Sequence, residues 1–304
     1  MARKEFVDLQ VNGYMGIDFS EPTLTKEEFL RTSEKIFESG TCIYLPTIIT
    51  NSRELYRRNL TLIYECVQKE GLQDKIPGVH LEGPFISPEP GAVGAHNPAC
   101  VAKPDCNYFQ EMLEFAPDFI RILTVAAEAP DVEELIKYAV SRKVTVSLGH
   151  HLAGTEDIEK AANAGATLLT HLGNGLPNMI HRHKNPIWAG LGCDKLSAMI
   201  ITDGHHLPAE VIKTIVRTKG VDKVIVTSDA ASVAGLPPGR YQSLGNNAIL
   251  EENGLFHNPE KGCLVGSSAS VSICMKYIAS LGILTDEELD KVGYYNPLKA
   301  IGLL

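Results

Sequence analysis

The sequence has little positive charge and no long apolar stretch. Lys and Arg total 28 against 37 Asp and Glu, a formal net charge of −9. A nucleic-acid groove, which needs clustered Lys and Arg to displace phosphate counterions, is thereby excluded. No run of about 18 apolar residues occurs, so no membrane-spanning helix is expected. Met1-Ala2-Arg3-Lys4-Glu5 leads into a strand pattern without an apolar signal stretch. A soluble cytoplasmic protein acting on a small molecule is the expectation. The seven cysteines run from Cys42 to Cys274 with no Cys-x-x-Cys pair, which excludes a disulfide framework and fits reduced thiols. Cys100 and Cys106, the nearest pair, lack an adjacent base or cation and read as inert. The Gly-rich G-x-G-x-x-G turn of a doubly wound dinucleotide fold is absent, as are repeats, linkers and low-complexity tracts.

What the 304 residues do contain is an alternation of apolar runs with capped helical segments. Eight runs read as strands: Phe6–Val11, Thr41–Ile48, Gly78–Leu81, Ile120–Ala126, Thr145–Leu148, Thr167–Thr170, Ala198–Thr202 and Lys223–Thr227. Most are continuous aliphatic or β-branched text, the pattern of strands covered on both faces. Between them, Thr25-Lys26-Glu27-Glu28 is a capping box ahead of Phe29, Ile36 and Phe37, and Ser39-Gly40 closes that helix. Asp131 through Glu134 and Thr285 through Glu288 open further helices. The fold class is therefore α/β, a (β/α)8 TIM barrel, expected as one domain over residues 1–304. From Gln242 to Leu264 the helical signal lapses, and a β-hairpin insertion after strand eight is expected.

The runs close on Gln10 and Asn12, Thr47, Glu82, Glu128, His150, His171, Asp203 and Asp229. A parallel barrel gathers all such strand ends at one face. Taken singly, Glu82 is a solvated loop residue and each histidine a satisfied core imidazole. Together, Glu82, His150 and His171 form a three-ligand set with a position left open for water, the arrangement a catalytic zinc needs. Asp229, otherwise a loop cap, then becomes the carboxylate that moves protons. Many barrel metallohydrolases carry His-x-His at strand one, whereas Gln10 and Asn12 are amides and poor transition-metal ligands, so one metal per chain is expected. Zinc is expected, and ferrous iron accepts the same N and O ligands. Asn174-Gly175, Arg182 and His206 supply a backbone N–H, a guanidinium and an imidazole, the parts of a phosphate pocket. His181-Arg182-His183-Lys184 on its own reads as a solvated charged loop. The Gly- and Pro-rich loop from Pro88 to Pro98 carries His96 and is suited to fold over a ligand.

In chain order, the motifs are Gln10-Val11-Asn12-Gly13, His80-Leu81-Glu82-Gly83-Pro84-Phe85, Ala95-His96-Asn97-Pro98, Gly149-His150, Thr170-His171-Leu172, Asp203-Gly204-His205-His206, Asp229-Ala230 with Ala234-Gly235-Leu236-Pro237, Gly266-Ser267-Ser268 and Asn296-Pro297. From Val7 to Leu304 this series resembles the N-acetylglucosamine-6-phosphate deacetylases of the amidohydrolase superfamily. The resemblance implies a (β/α)8 barrel with a small β-sandwich domain, and a homodimer. It implies metal ligands at Glu82, His150 and His171, a catalytic aspartate at Asp229 and an acetamide-contacting histidine at His96. Phosphate contacts would fall on Asn174, Gly175 and His206, with Arg182 supplied from a partner subunit.

Four departures stand out. Val125-Ala126-Ala127-Glu128 replaces the family's Leu-Ala-Pro-Glu, and His151-Leu152 replaces Ser-Asn. His171-Leu172-Gly173-Asn174-Gly175-Leu176 lacks the aromatic of His-Leu-Phe-Asn-Ala-Met. The residues that build the sandwich have no counterpart, so a barrel-only chain is expected, whether by nature or by truncation. The expected activity is hydrolysis of the N-acetyl group of N-acetylglucosamine-6-phosphate. The alternatives are another N-acyl amino-sugar phosphate, such as N-acetylgalactosamine-6-phosphate, and a non-catalytic sugar-phosphate binding protein.

Overall fold

The computed structural model describes residues 5–243 and 245–304. Eight parallel strands form one sheet in sequential order: β1 (Phe6–Val11), β2 (Thr41–Ile49), β3 (Val79–Glu82), β4 (Ile120–Val125), β5 (Thr145–Leu148), β6 (Leu168–Leu169), β7 (Ser197–Ile201) and β8 (Val224–Thr227). Each neighbouring pair is parallel, with registers such as Thr47 opposite His80 and Ile49 opposite Glu82. The expected Thr167–Thr170 run narrows to two ladder residues. The amides of Thr167 and Thr170 still bond to Val146 and Leu148 at 3.0 and 2.8 Å, which carries the pairing past the strand.

β1 and β8 meet without a regular ladder. A bridge joins Val11 and Ala230, and the amide of Asn12 reaches the Ala230 carbonyl at 2.8 Å. Below it, the buried Asp8 carboxylate accepts from the Thr227 hydroxyl at 2.7 Å, and from the Ser228 amide and hydroxyl at 3.1 and 2.5 Å. A side chain thus takes over donors that a closing strand would otherwise satisfy.

Helices cover the outside. Thr25 caps α1 (Lys26–Glu38) through the expected capping box. Ser52 caps α2 (Arg53–Glu70), which stops at the left-handed Gly71. The apolar faces of these helices and of α3 (Val132–Ser141), α4 (Thr155–Ala164) and α5 (Ala209–Lys219) pack on the strands in one large cluster. A second cluster of Val7, Leu9, Leu45, Ile122, Leu168, Met199 and Ile225 is closed by Leu298 and Ile301. Nearer the mouth lies a polar layer: His80 bonds Thr124 at 2.7 Å, and Thr124 bonds Thr170 at 2.8 Å. Among the described residues no helix is long and apolar enough to cross a membrane.

After β8 the insertion is larger than the hairpin expected from Gln242. It is a four-stranded antiparallel sheet of β9 (Gly239–Ser243), β10 (Asn246–Leu250), β11 (Phe256–Asn258) and β12 (Cys263–Leu264). Its strands are too short to show a strong period-two signal, and β9 alternates half-buried with exposed residues up to the buried Ser243. Ala248, Leu250, Phe256 and Val265 pack on Ala231 and Val233 just after Asp229, and on Ala95 just before His96. The insertion therefore sits against two segments of the site.

Candidate active site

Three of the site residues leave their strands in the left-handed backbone region: His150 (φ 50°), His171 (φ 29°) and Asp229 (φ 51°). Such conformations cost non-glycine residues about 1–3 kcal/mol each and persist where the surroundings fix them. Here they end the strands abruptly, with the three side chains buried at the barrel mouth. A register shift in β1 between Asp8 and Val11 lies where Gln10 and Asn12 turn onto the same point.

The side chains converge closely. His171 Nε2 lies 2.9 Å from Glu82 Oε1, and His150 Nε2 lies 3.3 Å from it. The two imidazole Nε2 atoms are 3.0 Å apart. His150 Nδ1 faces the Ala92 carbonyl at 2.8 Å, so Nδ1 carries the proton and Nε2 presents a lone pair. Gly175, at φ +63°, packs against that ring; a Cβ there would come within 2.9 Å of His150 Nδ1. Two imidazoles and a carboxylate with ligand atoms all within 4.8 Å of one another suit a divalent cation. Burial favours the neutral acid at this point, yet the imidazoles of His150 and His171 packed against the carboxylate hold Glu82 well below the usual carboxylate range. Burial likewise opposes charge on His171, but the Glu82 carboxylate outweighs it and raises the imidazole. Protonation of His171 is thus favoured by Glu82, and a cation held by the same atoms competes with that proton.

Gln10 and Asn12 are not ligands in this arrangement. Gln10 Nε2 donates to Glu82 Oε1 at 2.7 Å and to Asp229 Oδ1 at 3.0 Å, while Asn12 Nδ2 donates to the same Asp229 oxygen at 2.7 Å. The amides bridge and orient two carboxylates. Burial first, and then the Glu82 charge, raise Asp229 to about 6, a value suited to exchanging protons near neutrality. His96 comes in from the Pro88–Pro98 loop, its Nε2 3.6 Å from Glu82 Oε2. The Thr50 amide donates to His96 Nδ1 at 3.3 Å, and a backbone N–H can only donate, so the ring's own proton lies on Nε2. Burial lowers His96 to about 3, which keeps it a neutral donor.

The remaining predicted residues separate. Asn174, Gly175 and His206 line the same cleft, about 480 Å³, as Glu82, His96, His150, His171 and Asp229. His206 Nδ1 is held by Asp203 at 2.7 Å. Asp203 also accepts from Ser267 at 2.7 Å and from the amides of His205 and His206, and despite burial the His206 side chain and these two amides hold it well below the carboxylate range. Arg182 does not reach the cleft; it is exposed, and its carbonyl accepts from the Trp188 indole at 2.9 Å. Glu128 lies three residues past β4, half-buried, where it accepts from the Leu152 amide at 2.7 Å and takes no part in the Glu82 cluster. Sequence reasoning missed Thr50, Asp203 as the anchor of His206, and the cleft-lining residues Lys261 to Leu264 of the insertion. Only Asp203 carried a signal, as a polar residue closing an apolar run.

No protein-family model matches the chain. N-acetylglucosamine-6-phosphate deacetylase of Homo sapiens is 30% identical over 98% of this chain and 74% of its own length. N-acetylgalactosamine-6-phosphate deacetylase of Escherichia coli O157:H7 is 26% identical over 98% and 77%. Among solved structures, a mutant N-acetyl-D-glucosamine-6-phosphate deacetylase from Mycobacterium smegmatis, in complex with N-acetyl-D-glucosamine-6-phosphate, superposes with a TM-score of 0.90 at 25% identity, covering 99% of this chain and 78% of that one. With its barrel, its Glu-His-His cluster and this likeness over nearly its whole length, the chain belongs to the N-acetylglucosamine-6-phosphate deacetylase family.

Proposed function

We propose that this chain hydrolyses the acetamide of N-acetylglucosamine-6-phosphate to glucosamine-6-phosphate and acetate, with one divalent metal, zinc, held by Glu82, His150 and His171. The observation that carries this reading is the buried carboxylate Asp229, oriented by two amides beside a three-ligand cluster. A cation there supplies Lewis acidity and makes water a nucleophile near neutral pH. The chain's own groups do the rest. Asp229 Oδ2, left free by the amides on Oδ1, takes the proton of the attacking water and returns it to the nitrogen as the amine departs. The His96 Nε2–H donates to the acyl oxygen as charge develops on it. His206, braced by Asp203, and the Asn174-Gly175 turn receive the phosphate.

The altered wall from Gly173 to Gly175 and the Escherichia coli relative support a second reading, with N-acetylgalactosamine-6-phosphate as substrate. A sugar-phosphate binder without turnover has no use for a proton-moving Asp229. We also assign the protein to a homodimer in which Arg182 enters the partner's cleft. Met179 and Trp188, exposed to 89% and 52%, flank Arg182 and offer apolar surface for a second chain. Seven free thiols suit the reducing cytoplasm. Acetate release over a panel of N-acetyl hexosamines and their 6-phosphates tests the activity: highest kcat/KM with N-acetylglucosamine-6-phosphate is expected, and no acetate from any member of the panel refutes it.

A further inference from the structure

Among the described residues that line the cleft, Lys261 is the one lysine or arginine. It sits on the turn between β11 and β12, in the insertion rather than at a barrel strand end. That turn is built on two buried asparagines. The Asn258 side-chain oxygen accepts the amides of Glu260 and Lys261 at 3.0 and 3.1 Å, and the Gly262 amide reaches the Asn258 carbonyl at 2.9 Å. Asn258 Nδ2 donates to Asn246 Oδ1 at 3.3 Å, and Lys261 Nζ donates to the same oxygen at 2.6 Å. Asn246 Nδ2 in turn donates to the carbonyl of Ala95, next to His96. The ammonium is thus held at the cleft wall by a chain of amides that ends on the loop carrying His96. Its partner there is a neutral amide oxygen, which leaves the positive charge unneutralised by that bond.

The acidic groups lining the cleft are Glu82 and Asp229. A divalent cation at Glu82 offsets these two carboxylates at the reacting end, but the phosphate brings about two further negative charges of its own, and Arg182 does not line the cleft of its own chain. We infer that Lys261 binds the anionic group of the substrate from within the same chain, so that preference for a phosphorylated amino sugar does not depend on the partner's arginine alone. This rests on the amino-sugar phosphate reading above.

The test compares wild type, Lys261→Gln, Lys261→Arg and Lys261→Glu on N-acetylglucosamine-6-phosphate and on unphosphorylated N-acetylglucosamine. Metal content and thermal midpoint are measured for each. Glutamine still donates to Asn246 without the charge, whereas arginine keeps the charge. Lys261→Gln is expected to lower the ratio of kcat/KM for phosphorylated over unphosphorylated sugar about tenfold, chiefly through KM, as loss of one charge-assisted contact implies. Lys261→Glu should lower the ratio further, and Lys261→Arg should restore most of it. Added salt should shrink the wild-type ratio more than that of Lys261→Gln. An unchanged ratio in Lys261→Gln, or equal losses on both sugars, would overturn the inference while leaving the phosphate reading intact. A wild-type enzyme with no preference for the phosphorylated sugar would overturn the phosphate reading and the role of Lys261 with it.

Discussion

Replacing Asp229 by Asn separates proton transfer from architecture. Asp229 Oδ1 accepts from Gln10 at 3.0 Å and Asn12 at 2.7 Å, and an asparagine oxygen satisfies both donors. Its NH2 group then occupies the place of Oδ2 and cannot accept a proton from water. The variant should fold and keep its metal, because Glu82, His150 and His171 are untouched. Loss of general acid–base catalysis should lower kcat about 10²- to 10⁴-fold, a barrier increase of about 3–5 kcal/mol. The metal-free protein gives an independent readout. The folded-state pKa of Asp229 is raised from 3.8 to about 6, by burial and by Glu82. Ionisation is therefore harder in the folded than in the unfolded chain, and a stability penalty develops as pH rises from about 4 to 6 and is complete above that. Metal-free Asp229→Asn should consequently melt above metal-free wild type at pH 7, with the difference vanishing near pH 3. In the loaded enzyme a cation draws the carboxylate down again, so the acid limb of wild-type kcat/KM should lie below pH 6 and be absent in the variant. The assays are acetate release, elemental analysis and thermal melts across pH. Near wild-type turnover in a metal-replete variant would refute the role of Asp229.

The amides at strand one predict metal count: wild type should hold one equivalent by elemental analysis, and Gln10→His with Asn12→His should raise this to two, because both positions face Asp229. Two tight equivalents in wild type would contradict this. Asp203→Asn should loosen His206 and raise KM for the phosphorylated sugar several-fold with little change in kcat; a fall in kcat alone would place His206 at the reacting bond. Mixing Arg182→Ala with Asp229→Asn subunits should recover activity at hybrid sites, and no recovery despite demonstrated exchange would remove the arginine from the partner's cleft.

The barrel and the meeting of Glu82, His150 and His171 were legible because the apolar runs stop on polar residues, and a parallel barrel brings those stops together. Glu82, His150, His171 and Asp229 are local events at strand ends. Roles that depend on distant pairing were not legible. Gln10 and Asn12 read as poor ligands, but that they hold Glu82 and Asp229 depends on contacts across 72 to 219 residues. Asp8 lies inside the run Phe6–Val11, and its role appears only where β1 meets β8. The insertion read as a hairpin because two of its four strands have only two or three residues, and Lys261 went unnoticed with it. Arg182 read as part of a phosphate pocket from its charge, yet one chain leaves it exposed.

Anomalous diffraction from metal-loaded crystals tests the central claim most directly. One ion per chain is predicted, about 2.0–2.2 Å from a Glu82 carboxylate oxygen and from Nε2 of His150 and His171, with the amides of Gln10 and Asn12 outside bonding distance. An ion that lacks any of these three ligands, or a second ion held between Gln10, Asn12 and Asp229, would contradict it.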